Sequence, residues 1–186
     1  RTSRAPLAGS PEPRPRARRG QASQATPMKG APRDCPCTSG LRYAACCRPL
    51  HAGERSAEAP EALMRSRFSA FALGLGGYLV DTLSSDHEDR ALPTDALARE
   101  LGRVRERQRF LGLEILHASA DGDRGEVLFF ARVFERGRDR SFAELSTFVR
   151  EDGSFRYRSG VLVPGERLPA DRATLTRDRF LALATA

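Results

Sequence analysis

No stretch of this chain approaches the roughly 20 consecutive apolar residues that a bilayer-spanning helix needs, so such a span is excluded. The N-terminal segment lacks the apolar core of a secretory signal. Lysine is almost missing: Lys29 stands alone beside 30 arginines. Cysteine is absent outside residues 35–47, which hold all four. A disulfide scaffold spreads its cysteines to staple distant segments, so this clustering argues against one. It points to thiolates kept available to a metal in a reducing cytoplasm. No Ser/His/Asp set, paired carboxylates or two-metal cluster stands out. The glycines at 74, 76 and 77 follow no strand and precede no Lys-Ser/Thr, which excludes a phosphate-binding loop.

The chain is basic, with a formal net charge of +7 over 186 residues, but the charge is uneven. Residues 1–30 hold seven basic residues against one acidic, whereas residues 51–186 hold 21 arginines against 22 Asp and Glu. Residues 1–30 are rich in Pro, Arg, Ala and Ser and cannot bury enough surface to offset ordering entropy, so a disordered basic tail is expected there. An arm on RNA or the ribosome and a mitochondrial-type presequence are two readings of it. The third is that translation starts at Met28, since the cysteine module follows almost at once.

That module reads Cys35-Pro36-Cys37-Thr38-Ser39-Gly40-Leu41-Arg42-Tyr43-Ala44-Ala45-Cys46-Cys47. Two sulfurs on a short loop and two more at a following helical turn suit the tetrahedral preference of zinc. Adjacent cysteines rarely bridge each other. With Cys35, Cys37, Cys46 and Cys47 all as ligands, no position stays open for substrate, so the Zn²⁺ would be structural. His51 is an alternative ligand, against a plain surface histidine.

Downstream, Pro60 and Glu61 suit a first helical turn, and Met64, Phe68, Phe71 and Leu75 form one apolar stripe with Arg67 at its edge. Helices are predicted over residues 59–75, 78–83 and 95–109. Period-2 alternation then predicts strands over 110–119, 125–136, 140–150 and 154–163, joined by hairpin turns. A capped helix from Asp171 to Leu183 closes the chain, docked loosely. The expected fold is α+β: helices packed in a curved antiparallel sheet, with a small N-terminal zinc knob. In the third strand Phe142, Glu144, Ser146 and Phe148 share one face. Glu144 in that apolar setting is a candidate general base with a raised pKa, and no complete catalytic set accompanies it. The alternative is a buried Arg67–Glu144 pair tying helix to sheet. His87 reads as part of a solvated acidic loop and His117 as a core or edge residue.

The cysteine module resembles the SEC-C motif, C-P-C-G-S-G-x-x-Y-x-x-C followed by His or Cys. Thr38 stands where that motif has glycine, and Leu41-Arg42 where it has a lysine pair. Met64-Arg65-Ser66-Arg67-Phe68-Ser69-Ala70-Phe71 is similar to the M-R-S-R-Y-x-A-F signature of the YchJ-like family. His51-Ala52-Gly53, Tyr78-Leu79 with Thr82, Phe110 to Leu113, and Arg150-Glu151-Asp152-Gly153 with Tyr157 extend the resemblance over residues 34–163. It implies a cone-shaped fold like that of nuclear transport factor 2 and ketosteroid isomerase. With the compositional tail (1–30), the chain then divides into a SEC-C zinc-binding module (31–52), the nuclear transport factor 2-like domain (59–163) and a C-terminal tail with a possible helix (164–186). The family is functionally uncharacterised. The expectation is a bacterial, cytoplasmic, non-enzymatic adaptor whose module meets a protein or ribosomal partner, with nucleic acid a lesser candidate and no membrane. The alternative is a small-molecule-binding or acid/base site in the cone around Glu144, with Arg67 and Ser146 beside it.

Overall fold

The computed structural model describes residues 30–185, so the expected basic tail falls almost wholly outside the described residues. A 3-10 turn at Tyr43–Ala45 leads into helix α1 (Arg48–His51). Then come α2 (Pro60–Leu73), α3 (Gly76–Asp81) and α4 (Thr94–Arg107). The strands are β1 (Gln108–Asp121), β2 (Arg124–Glu135), β3 (Arg138–Asp139), β4 (Phe142–Glu151) and β5 (Ser154–Pro164), and α5 (Arg177–Thr185) ends the chain. The antiparallel sheet runs β1-β2-β4-β5, with the short β3 pairing β2 where β4 has ended. No helix among the described residues is long and apolar enough to cross a membrane.

Local chemistry sets the ends of α2. Pro60 occupies its first turn, Glu61 receives Arg65 Nε at 2.8 Å one turn later, and Gly74 closes it in the left-handed conformation (φ 74°). The helix is buried on more sides than one stripe implies. Met64 and Phe68 face the sheet, Ser66 and Ser69 face the cysteine module, and Arg67 faces α3 and β5.

The alternation in β2 and β4 separates two cores. Val127, Phe129, Ala131, Val133 and Phe148 pack on the α2 side with Leu63 and Phe68. Leu128, Phe130, Ala143 and Leu145 pack on the opposite side beneath Leu175 and Phe180. Burial on both faces is why β2 reads as a nearly continuous apolar run. The C-terminal segment is not loosely docked, since Phe180 is completely buried. Its helix is shorter than expected: Asp171 caps only a 3-10 turn at Arg172–Thr174, and a non-helical Leu175 breaks it from α5.

Candidate functional site

The four cysteine sulfurs converge, all lying within 4.8 Å of one another. Cys37 Sγ is 3.6 Å from Cys46 Sγ, which is 3.8 Å from Cys47 Sγ. A tetrahedral ion with thiolates at ~2.3 Å has a sulfur–sulfur edge of about 3.8 Å, so these residues fit a four-coordinate metal. The loop is shaped by Cys35 N–H donating to Leu41 C=O at 3.0 Å and Thr38 N–H to Cys35 C=O at 3.0 Å. Ser39 Oγ lies 3.2 Å from Cys46 Sγ, and Ser69 Oγ lies 3.5 Å from Cys35 Sγ and 3.4 Å from Cys47 Sγ. Without an ion the thiols are unequal. Hydrogen bonding from Cys35 holds Cys37 far below the usual thiol range, burial pushes Cys46 up to about 11, and hydrogen bonding with Cys35 raises Cys47. The Cys37 thiolate therefore forms readily, and an incoming cation must displace protons from Cys46 and Cys47.

His51 is neither a ligand nor a surface residue. Its Nε2 lies 2.9 Å from the carbonyl of Ser66, which can only accept, so Nε2 carries the proton. Its Nδ1 then accepts from Tyr43 Oη at 2.9 Å. Both ring nitrogens are spent fastening the module to α2. Tyr78 Oη continues the link by donating to Ser66 Oγ at 2.6 Å, which donates to Leu63 C=O at 2.8 Å. The motif residues Tyr43, His51, Ser66 and Tyr78 thus form one buried clamp. Cys35, Cys37, Tyr43 and Cys47 belong to the same apolar core as Leu63, Phe68 and Val127, so the "knob" is packed into the domain.

A second feature lies on the other side of α2. A cavity of about 690 Å³ opens between α2, α4 and the sheet. Phe68, Phe71, Phe110, Phe129 and Phe142 supply apolar wall, and Arg67, Glu144 and Tyr157 supply polar groups. The expected Arg67–Glu144 ion pair does not form. Arg67 Nη1 donates instead to Leu79 C=O at 2.7 Å and Thr82 Oγ1 at 2.6 Å, at the carbonyl-rich end of α3, and its guanidinium lies 4.6 Å over the Tyr157 ring. Burial lowers its pKa to about 10, leaving it charged at neutral pH. Glu144 Oε1 accepts from Ser146 Oγ at 2.6 Å and Tyr157 Oη at 3.1 Å. Burial raises Glu144 above the usual carboxylate range against those bonds and the nearby Arg67. Ser146 is fully buried behind Glu144 and steadies it rather than lining the cavity.

Sequence reasoning did not assign Tyr157 or Gly160 to this site. A Cβ on Gly160 would lie 2.1 Å from Glu144 Oε1, so glycine leaves the room that Glu144 occupies. The signal available was Tyr157 inside a family motif; no local pattern reveals Gly160. His87 also differs from expectation. Its ring is only 10% exposed, lies 5.6 Å from the Tyr157 ring and lines the cavity mouth, because Nδ1 accepts from Asp89 N–H and turns the loop inward. His117 is exposed on β1, an edge strand.

Residues 59–160 match the family described as YchJ, middle NTF2-like domain. The chain belongs to the YchJ family. A UPF0225 protein of Deinococcus radiodurans is 40% identical over 124 residues, spanning 66% of this chain and 85% of that one. A second, from Corynebacterium efficiens, is 41% identical over 130 residues, spanning 68% and 91%. Among solved structures, a SEC-C motif containing protein from Rhodopseudomonas palustris is 41% identical, with a TM-score of 0.59 over 68% of this chain and 95% of that one. Another SEC-C motif containing protein, from Psychrobacter arcticus, is 25% identical, with a TM-score of 0.58 over 71% and 84%. In this chain a cysteine module precedes the NTF2-like domain, and its four thiols are placed to hold a metal ion.

Proposed function

We propose that this YchJ-family protein is a small-molecule-binding domain whose cavity reads its ligand through Glu144 and Arg67, clamped from behind by a structural Zn²⁺ on Cys35, Cys37, Cys46 and Cys47. The observation that carries the reading is the open cavity reaching a partly used carboxylate. Glu144 Oε1 is taken by Ser146 and Tyr157, while Oε2 has no partner among the described residues. Arg67 commits Nη1, and no buried side-chain nitrogen or oxygen among the described residues lacks a hydrogen bond. Its Nε and Nη2 make no hydrogen bond among the described residues, on a side chain that lines the cavity. A fitting ligand is mainly apolar, offering a donor to Glu144 and an acceptor to Arg67. With a raised pKa, Glu144 would also serve to hold a ligand proton.

The cavity rather than the module supports this choice. The module turns its sulfurs, Tyr43 and His51 inward, and its exposed face offers Arg33, Asp34, Arg42 and small alanines, with Leu41 as its large apolar side chain. Two measurements test the proposal. Metal analysis of the purified chain is expected to give about one zinc per protein, falling in Cys46→Ser; a ratio near zero sinks the zinc assignment. Amide NMR spectra recorded with a panel of small aromatic acids and amides should show shifts at Tyr157 and Gly160. Those shifts should be lost in Glu144→Gln and in Gly160→Ala, whose new methyl displaces the carboxylate. No response at these residues, or a response indifferent to both substitutions, overturns the cavity reading.

A further inference from the structure

The near-neutral charge count of residues 51–186 hides a spatial separation. On α4, Arg99, Arg103 and Arg107 recur every four residues, so they share one face along about 12 Å of helix. At the end of α4, Arg107 meets the β2–β3 turn. One hollow of about 450 Å³ there is lined by Arg107, Glu135, Arg136, Arg138 and Arg140. An adjoining hollow of about 550 Å³ again holds Arg107 and Arg136, now with Arg109, Leu111 and Phe134. A third, along α4, joins Arg99, Arg103 and Arg107. The three share Arg107 and form a continuous strip.

These seven arginines differ from the six ion-paired ones in lacking a carboxylate partner among the described residues, a lack that they share with others such as Arg124 and Arg132. Arg48, Arg65, Arg150, Arg158, Arg172 and Arg177 each have a carboxylate within 4.0 Å. None of the seven strip arginines has one among the described residues. Glu100, Glu106 and Glu135 border the strip without pairing, and Asp139 turns its carboxylate to Ser141 N–H at 2.8 Å. The turn adds a second observation. Arg136 has φ 49° and Gly137 φ 78°. A two-residue turn with both φ positive favours Asn-Gly, so a long cationic side chain is held there against backbone preference.

We propose that this strip is a docking surface for single-stranded nucleic acid. Phosphates would lie along the arginines, whose planar forks suit phosphate oxygens. The half-buried Phe134 and the exposed Leu111 give a base an apolar surface between them. That apolar floor favours a nucleic acid over an acidic peptide, which brings charge but no base. The strip is on separate elements from the Glu144 carboxylate, so it stands or falls independently of the cavity.

The test uses the full chain and a fluorescent single-stranded RNA of about 12 nucleotides, with affinity followed by anisotropy between low and moderate salt. Four phosphate contacts would give a log–log salt slope of about −3. Arg136→Glu, Arg138→Glu and Arg140→Glu together should weaken binding at least about tenfold and flatten the slope by about 2. Arg99→Glu with Arg103→Glu gives an independent reversal on α4, should the turn variant fold poorly, and should weaken binding severalfold. Arg124→Glu, at the other end of β2, should leave affinity unchanged. Circular dichroism and metal content of each variant report whether the fold is intact. Unchanged RNA affinity in both folded strip variants overturns the proposal. So does polyglutamate binding as tightly as RNA through the same arginines, which would mark an acidic protein partner.

Discussion

Thr38 shows how one residue can be strained and useful together. A β-branched residue at φ 55° is a backbone outlier costing on the order of 1–3 kcal/mol. The SEC-C pattern has glycine there, which adopts that conformation freely. What offsets the strain is the side chain: Thr38 Oγ1 donates to Leu113 C=O at 2.8 Å and accepts from Leu113 N–H at 3.0 Å. It occupies the place of a neighbouring strand on the free edge of β1. Thr38→Ala keeps the strain and loses both bonds, so it should cost about 1–2 kcal/mol in urea denaturation of the metal-loaded protein. Thr38→Gly relieves the strain while losing the bonds, and should lie within about 1 kcal/mol of the native chain. Equal losses in the two variants would show that backbone strain plays no part. The departure from glycine was legible in the sequence. Its partner, 75 residues away in β1, was not, because nothing local encodes which strand edge the loop meets.

At the level of elements, the strongest contrast lies between two adjacent glycines. A Cβ on Gly76 would stand 1.8 Å from the Ala98 carbonyl oxygen of α4, whereas one on Gly77 meets nothing within 4 Å. Gly76 permits α3 and α4 to cross backbone to backbone; Gly77 merely occupies a helical position. Gly76→Ala should therefore destabilise by about 3 kcal/mol or more, since the clash is with main chain. Gly77→Ala should be neutral or stabilise by up to about 1 kcal/mol through helix propensity. Thermal melts of the two variants check this, and similar melting temperatures would refute the close crossing. The sequence reading placed both glycines together in a cluster that forms no phosphate-binding loop. It also placed one apolar stripe on α2, where three different neighbours bury the helix on several sides. Periodicity reports the apolar contacts of a helix, but Ser66, Ser69 and Arg67 are buried by polar contacts that carry no such period.

For the whole molecule, the metal module and the sheet share one core. Cys37 is fully buried and Cys47 nearly so, in the same cluster as Leu63, Phe68, Val127 and Phe148. Removing the metal should therefore loosen the entire fold rather than only its N-terminal end. With chelator and reductant present, calorimetry should show a single transition lowered by about 10 °C or more. An unchanged main transition with a small separate one would mean that the module folds alone. The arginine strip is also a property of this scale: α4 and the β2–β3 turn supply it jointly, and total charge conceals it.

By itself the sequence determined which four thiols converge on one candidate metal site, the order of the main helices and strands, and the face that Phe142, Glu144, Ser146 and Phe148 share on β4. Spacing and alternation are local, and they dictate which side chains can point the same way. Only the tertiary structure decided that His51 fastens rather than ligates, that Arg67 binds the end of α3, and that Tyr157 and Gly160 frame Glu144. It also decided that unpaired arginines gather at one end of a domain whose charges nearly cancel. Each of these depends on which distant groups compete for one donor or one carboxylate, and that competition is resolved only when the chain is packed.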